Sequence, residues 1–372
     1  MACAAEIVVV IPAHREAHTL GPTLQSLELD ARSAAVVVVN QEAHQDTRAE
    51  NEATAAVAEP FEHVTVVDRF RPSTAFPEGS GGVGAARRAG MDYAARSVRS
   101  GDALIVSLDA DSPVDPGFMD ALRAWKRGGA PCGLTSFEHP LPTEAGHRLA
   151  IVAYETWLRY FALALRRADS PYAHVSLGCT IVCTADCYAA VAGMPTRAAG
   201  EDFYFLQKLV KAHGLLPRIP GAMVRPSARA SARVPFGTGP AIREILRGTA
   251  SYDGVEPAAA FGALRTLFGL VTKLQESDVA LEGVDPELRT FLDELDVTTI
   301  LARLRRNHGE PIRFTRAFHQ WFDALRTTQF VRRFARAHGL QDVADAVEAV
   351  SGIPAHVSAE ARLMALRGDS TN

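Results

Sequence analysis

The stretch Ala103-Leu104-Ile105-Val106-Ser107-Leu108-Asp109-Ala110-Asp111-Ser112-Pro113 decides the fold. Five of its first six residues are apolar and two are β-branched, the pattern of a strand buried in a parallel sheet. Two carboxylates follow where the strand ends, and loops at the carboxyl ends of such strands form the ligand crevice of open α/β sheets. Asp109 and Asp111 are two apart, so in extended backbone both side chains point the same way. Hard oxygen donors of this kind suit Mg²⁺ or Mn²⁺, which keep positions open for phosphate oxygens. Capping of the next helix is the other use of Asp-x-Asp-Ser. That helix starts at Pro116-Gly117-Phe118 and carries Phe118, Met119, Leu122 and Trp125.

Working outward, Glu6 to Ile11, Ala34 to Val39 and Val64 to Val67 are further β-rich apolar runs. Pro12-Ala13-His14-Arg15-Glu16 breaks the first before a helical pattern containing Leu20, Leu24 and Leu27. Strands alternating with helical segments imply βαβ units and a doubly wound α/β sheet. Its strand ends carry His14, Glu16, Asn40, Asp68, Asp109 and Asp111. A second acidic cluster, Glu201-Asp202, opens an apolar helix containing Phe203, Phe205, Leu206, Leu209 and Val210. Acidic residues in a first turn stabilise the helix dipole, and a carboxylate so placed also serves as a general base. A metal site paired with a base suggests transfer of a group from a metal-bound nucleotide donor.

This arrangement resembles the family 2 glycosyltransferases of the GT-A fold across most of residues 6 to 235. Val9 to Glu16 looks like that family's opening strand and Pro-x-aromatic-x-Glu turn, with Pro12 and Glu16 in place and His14 where tyrosine or asparagine is usual. Ala86-Arg87-Arg88-Ala89-Gly90, after Gly79, Gly81, Gly82 and Gly84, resembles the glycine-led helix facing the donor. Asp109-Ala110-Asp111 resembles the metal motif, Gly178 to Pro195 the strand and helix lining the acceptor side, and Gly200 to Leu209 the catalytic carboxylate helix. The resemblance implies a metal-dependent glycosyltransferase, hexosyltransferase-like, that moves a sugar from a nucleotide-diphosphate sugar to an acceptor hydroxyl with inversion. Asp202 is then the base with Glu201 beside it, Asp111 and Asp109 hold Mg²⁺ or Mn²⁺, and Pro12, His14, Glu16, Asn40, Arg87, Arg88 and Asp109 line the donor. Two departures stand out. Asn40-Gln41-Glu42 replaces the acidic residues usual after the second strand, so an amide faces the nucleotide where a carboxylate is common, and no histidine falls between His213 and His308 to add a late metal ligand. A sugar-phosphate nucleotidyltransferase is the alternative, although it is expected to carry a basic Gly-rich loop where this chain has Ala13-His14-Arg15-Glu16. A non-catalytic nucleotide-sugar-binding protein of the same fold is a further one.

From Phe203 to Arg243 the chain has no Asp or Glu but carries Lys208, Lys211, Arg218, Arg225, Arg229, Arg233 and Arg243. Arginine pairs bidentately with phosphate oxygens, so Arg229 and Arg233, in a segment punctuated by Pro226, Pro235, Gly237 and Pro240, are expected to clamp a diphosphate. A solvated basic surface is the other reading. Arg87 and Arg88 are adjacent on a helix and point about 100° apart, so one of them faces the crevice.

The 372 residues allow two domains, here 1–240 catalytic and 241–372 helical. Helical apolar patterns such as Leu264, Leu267, Phe268 and Val271 fill the second, which is expected to pack on the first, shape an acceptor pocket or form a homodimer. The acceptor itself is not encoded in any legible motif. A formal net charge of −4 and the absence of aromatic-basic interleaving argue against a nucleic-acid partner. No apolar run reaches the roughly 18 residues that span a bilayer, and no signal peptide pattern opens the chain, so a cytoplasmic location is expected. Ala145 to Arg167 reads as one helix with an apolar stripe, and Glu155 and Arg159 pair on its other side. Cys179, Cys183 and Cys187 lack paired zinc spacing and read as buried free thiols.

Overall fold

In the computed structural model, which describes residues 5–197, 200–235 and 237–369, the chain alternates strands and helices as far as α6. The elements are β1 (Ile7–Ala13), α1 (Leu20–Ser26), β2 (Ser33–Asn40), α2 (Arg48–Ala58), β3 (Val64–Arg69), α3 (Val83–Ser97), β4 (Leu104–Ser107), α4 (Phe118–Arg127), β5 (Cys132–Phe137), α5 (Ala145–Arg167), β6 (Ile181–Thr184), α6 (Ala185–Ala190), α7 (Glu201–His213) and β7 (Arg218–Val224). The seven strands form one sheet in the order β3-β2-β1-β4-β6-β5-β7. Strands β1 to β4 are mutually parallel where they pair, and β6 runs antiparallel to both β4 and β5. This is the doubly wound, mixed α/β sheet expected from the sequence. All seven residues of β1 are buried, which is why it reads as an unbroken apolar run rather than an alternating one.

The strand order reverses between β1 and β4. Loops leaving the carboxyl ends of those two strands must diverge to opposite faces, and the gap between them is where ligands bind in such sheets. The loop after β1 carries His14 and Glu16, and the loop after β4 carries Asp109 and Asp111. Two apolar clusters flank the sheet, one including Val9, Val37, Leu104, Phe118 and Leu122, the other Val10, Val38, Met91, Phe205 and Leu209. Gly90 on α3 lies so close to Val10 and Val38 that a Cβ there would collide with both side chains, which lets α3 lie tight on the sheet.

β5 and β7 escape the sequence patterns. β7 is Arg-Ile-Pro-Gly-Ala-Met-Val, and Pro220 and Gly221 are tolerated because it is an edge strand whose register with β5 shifts between Leu134 and Ser136.

Among the described residues, 148–175 and 244–369 form a second compact unit, and the first comprises those from 5 to 147 and from 176 to 243. All of α5 beyond its first turn therefore belongs with the later helices rather than with the sheet that precedes and follows it in sequence. The helices are α8 (Thr238–Leu246), which straddles the boundary, α9 (Ala258–Leu274), α10 (Pro286–Glu294), α11 (Val297–Asn307), α12 (Pro311–Trp321), α13 (Ala324–His338), α14 (Val343–Ser351) and α15 (Ala359–Asp369). Helices α9 to α15 share a core with α5 that includes Tyr160, Leu264, Phe318 and Phe330. Helices alone were expected beyond Ala241. The structure corrects this with a short antiparallel pairing of Gly254–Val255 to Gln341–Asp342. Glu155 and Arg159 do pair, but both are buried, and Arg367 of α15 donates to the same carboxylate at 2.8 and 2.7 Å. Among the described residues no helix is long and apolar enough to cross a membrane.

Candidate active site

The turn after β1 is held by the helix that follows β2. Arg15 takes a left-handed conformation with φ of 59°, a costly one for a residue with a Cβ. Two side chains of α2 fix it: Asn51 accepts the Arg15 amide and Thr54 accepts the Glu16 amide, each at 3.0 Å. Both are wholly buried. Pro12 lies within the buried strand itself. His14 Nδ1 lies 2.7 Å from the Asn40 carbonyl, and the Asn40 amide nitrogen donates to the carbonyls of Ala13 and Val38. Asn40 thus spends its donors on the crevice wall. The expectation that its amide nitrogen meets a nucleobase is corrected accordingly.

Glu16 is buried and receives the Thr19 hydroxyl at 2.6 Å. Arg229 donates to Glu16 at 2.6 Å and lies 2.8 Å from Asp111, so one guanidinium joins the loops after β1 and β4. Arg233 lies 2.5 Å from Glu16 and donates to the His14 carbonyl at 2.9 Å. The backbone explains their reach. The Ser227 amide donates to the Asp111 carbonyl and the Arg225 amide to that of Pro113, laying the basic segment along the Asp109-Ala110-Asp111 loop. Thr23 of α1 ties the same loop through the Ala110 carbonyl at 3.0 Å.

Arg87 is buried between Asp109 and Glu201 and donates to both carboxylates. Burial alone would lower its pKa, but Asp109, Glu201 and Asp202 raise it above the ordinary value. Gly178 makes room: a Cβ at that position would run into the guanidinium. Gly84, on the first turn of α3, would similarly strike the Arg197 carbonyl and crowd Glu201. Arg88 points elsewhere. It pairs with Asp92 at 2.9 Å and donates to the Ala192 and Met194 carbonyls, so its expected place at the donor is not where the structure puts it. The 100° between neighbours on a helix accounts for the division.

The carboxylates crowd one another. Burial, with Asp109 and Glu16 nearby, pushes Asp111 up to about 7 despite the opposing pull of Arg229. Burial also raises Glu16. Asp202 is pushed up to about 6 by burial and by Glu201, with Arg87 working the other way. One Asp202 oxygen accepts the Phe203 amide at 2.7 Å. The crevice therefore gathers more negative charge than its arginines cancel, and hard oxygens with surplus charge fit Mg²⁺ or Mn²⁺. Among the described residues these carboxylates do not draw together into a set of three ligand atoms.

Asn51, Thr54 and Thr19 were not singled out from the sequence. The available signal was polar residues at 51 and 54 on the same helical face as Ala55 and Ala58, which the structure buries.

No family model and no curated relative matches the chain. Solved structures similar to it include S. aureus TarS 1-349 in complex with UDP-GlcNAc, with a TM-score of 0.44 and 14% identity, covering 98% of this chain and 88% of that one. Another is mannosyltransferase PcManGT from Pyrobaculum calidifontis in complex with GDP-Man and Mn²⁺, with a TM-score of 0.40 and 15% identity, covering 86% and 88%.

Proposed function

We propose that this chain is a GT-A type glycosyltransferase that moves a sugar from a nucleotide-diphosphate sugar to an acceptor hydroxyl with inversion. The observation that carries the reading is the convergence, at the point where strand order reverses, of Glu16, Asp109 and Asp111 with Arg87 and Arg229, linked through Glu201 to Asp202. A half-buried carboxylate with its pKa pushed up to about 6 is a base matched to neutral pH. Asp202 takes the proton of the acceptor hydroxyl as that oxygen attacks the anomeric carbon. Arg229 and Arg233 leave Glu16 to pair with diphosphate oxygens and so stabilise the leaving group. Arg87 pairs with both Glu201 and Asp109 and so fixes the two carboxylates in place. Asp111 and Asp109 would hold a divalent cation, which would supply positive charge beside the diphosphate leaving group.

The test is incubation of the purified chain with Mn²⁺ and a panel of UDP-, GDP- and other nucleotide sugars, followed by product analysis and determination of anomeric configuration. Release of a nucleoside diphosphate with a glycoside of inverted configuration is expected. Pyrophosphate exchange with a sugar phosphate, and no transfer from any nucleotide sugar, would replace this reading with nucleotidyl transfer.

A further inference from the structure

At the opposite end of the sheet from the crevice, three ligand-type side chains meet. Cys132 opens β5, Cys187 lies on α6 and His213 ends α7. Their sulfur and nitrogen atoms all lie within 4.8 Å of one another, and Cys187 Sγ is 3.2 Å from His213 Nε2. The strand polarity fixes the location. β6 is antiparallel to β4 and to β5, so β5 runs with β4, and its first residue falls away from the end where Asp109 sits. Cys132 and Cys187 are buried and His213 is exposed, which gives a thiol floor and a histidine at the mouth.

Two thiolates and an imidazole suit a borderline-soft cation. A tetrahedral Zn²⁺ with bonds of about 2.3 Å to sulfur and about 2.0 Å to nitrogen spaces its donors by roughly 3.5 to 4 Å. The three donors come from three elements far apart in sequence and lie within 4.8 Å of one another, so only a small inward movement is needed to reach that spacing. Cys187 hydrogen-bonds both Cys132 and His213, so the three groups are joined at one point.

We infer that Cys132, Cys187 and His213 form a Zn²⁺ site, with a fourth position open to water or an exogenous ligand. Each thiol gives its proton to solvent on binding, and His213 coordinates as neutral imidazole. The site has a consequence for α7. That helix begins with Glu201 and Asp202 and spans about 20 Å at 1.5 Å per residue, so a cation at His213 anchors the far end of the element that carries those acids. The inference rests on no property of the crevice and stands independently of glycosyl transfer.

Cobalt tests it directly. The full chain, reduced and stripped with a chelator, is titrated with Co²⁺. Thiolate-to-cobalt charge-transfer bands saturating at one equivalent per chain, bleached by added Zn²⁺, are the expected result. His213→Ala alters an exposed position and leaves the fold intact. Since losing even an outer-shell partner costs about 10 to 100-fold in metal affinity, it should weaken Co²⁺ binding by at least about tenfold. Cys187→Ser should remove most of the charge-transfer intensity. Zn²⁺ should also raise the melting temperature of the stripped wild-type chain and not that of His213→Ala. Absence of the bands, or bands unchanged in both variants, overturns the site. So does a Cys132–Cys187 disulfide in the purified chain that, once reduced, takes up no metal.

Discussion

Arg229 lies 2.8 Å from Asp111 while donating to Glu16 at 2.6 Å, so the arginine proposed to meet a diphosphate is held by the two carboxylates that flank the crevice. Side chains on both sides of these contacts are less than half exposed, which favours persistence over a fully solvated pair. A diphosphate offers the guanidinium a stronger bidentate partner and leaves the carboxylates free for a cation. Replacing Arg229 or Arg233 with Ala is therefore expected to weaken nucleoside diphosphate binding far more than nucleoside binding. Calorimetry with both ligands checks this, and equal losses would leave these residues as carboxylate partners alone.

Arg87 makes a different prediction because it is buried. Removing one partner of a buried ion pair leaves the other charge uncompensated, at a cost of about 3 to 5 kcal/mol. Arg87→Met strands both Asp109 and Glu201, so it is expected to lower stability by that order, read from urea unfolding. Gly178→Ala should also destabilise, since its Cβ falls on the guanidinium.

The metal reading is tested at Asp111. Asp111→Ala should abolish Mn²⁺-dependent nucleotide binding, whereas Asp109→Ala acts partly through the loss of its Arg87 contact. Undiminished Mn²⁺-dependent affinity in Asp111→Ala would remove the cation from that residue.

The sheet was legible because its inner strands are buried on both faces and read as unbroken apolar runs ending in polar residues, as Leu104 to Asp109 does. β7 was not, because an edge strand tolerates Pro220 and Gly221, which read as a turn. The acids and arginines of the crevice were legible as residue types at strand and helix ends. Which arginine of the Arg87-Arg88 pair enters was not, since that depends on the rotation of α3 against the sheet. Asn51 and Thr54 were invisible because their role is to satisfy the backbone of a turn that strains Arg15, a need that appears only in three dimensions. Cys132 was missed as a neighbour of Cys187 because the two are brought together by β5 and β6 pairing, not by spacing along the chain.

Asp202 also predicts a pH dependence of stability. Its folded-state pKa is raised to about 6 from an ordinary value of 3.8. Between those values the folded chain holds a proton that the unfolded chain has released, so stability falls as pH rises through that window and levels off above it. Asp202→Asn carries no titrating group and is expected to flatten that part of the profile, measured by urea unfolding from pH 4 to pH 7. An unchanged slope would place the proton uptake on another group.

The same substitution decides the catalytic role. An acid in the first turn of α7 has a modest structural use, since the helix dipole rewards it by only about 0.3 to 1 kcal/mol. Its side chain also accepts the Phe203 amide, a bond that asparagine can still accept through its carbonyl oxygen. Loss of a general base costs about 10² to 10⁴-fold in rate, far beyond a weakened cap. Asp202→Asn is therefore expected to keep the fold and donor binding while transfer falls by at least about a hundredfold. Wild-type transfer should itself decline as pH drops through about 6, where the carboxylate takes up its proton. Glu201→Gln is expected to act differently, through loss of its pairing with Arg87, and so to appear in stability and binding more than in the transfer step. Transfer within a fewfold of wild type in Asp202→Asn would exclude this residue as the base, and a product of retained configuration would reject the single displacement itself.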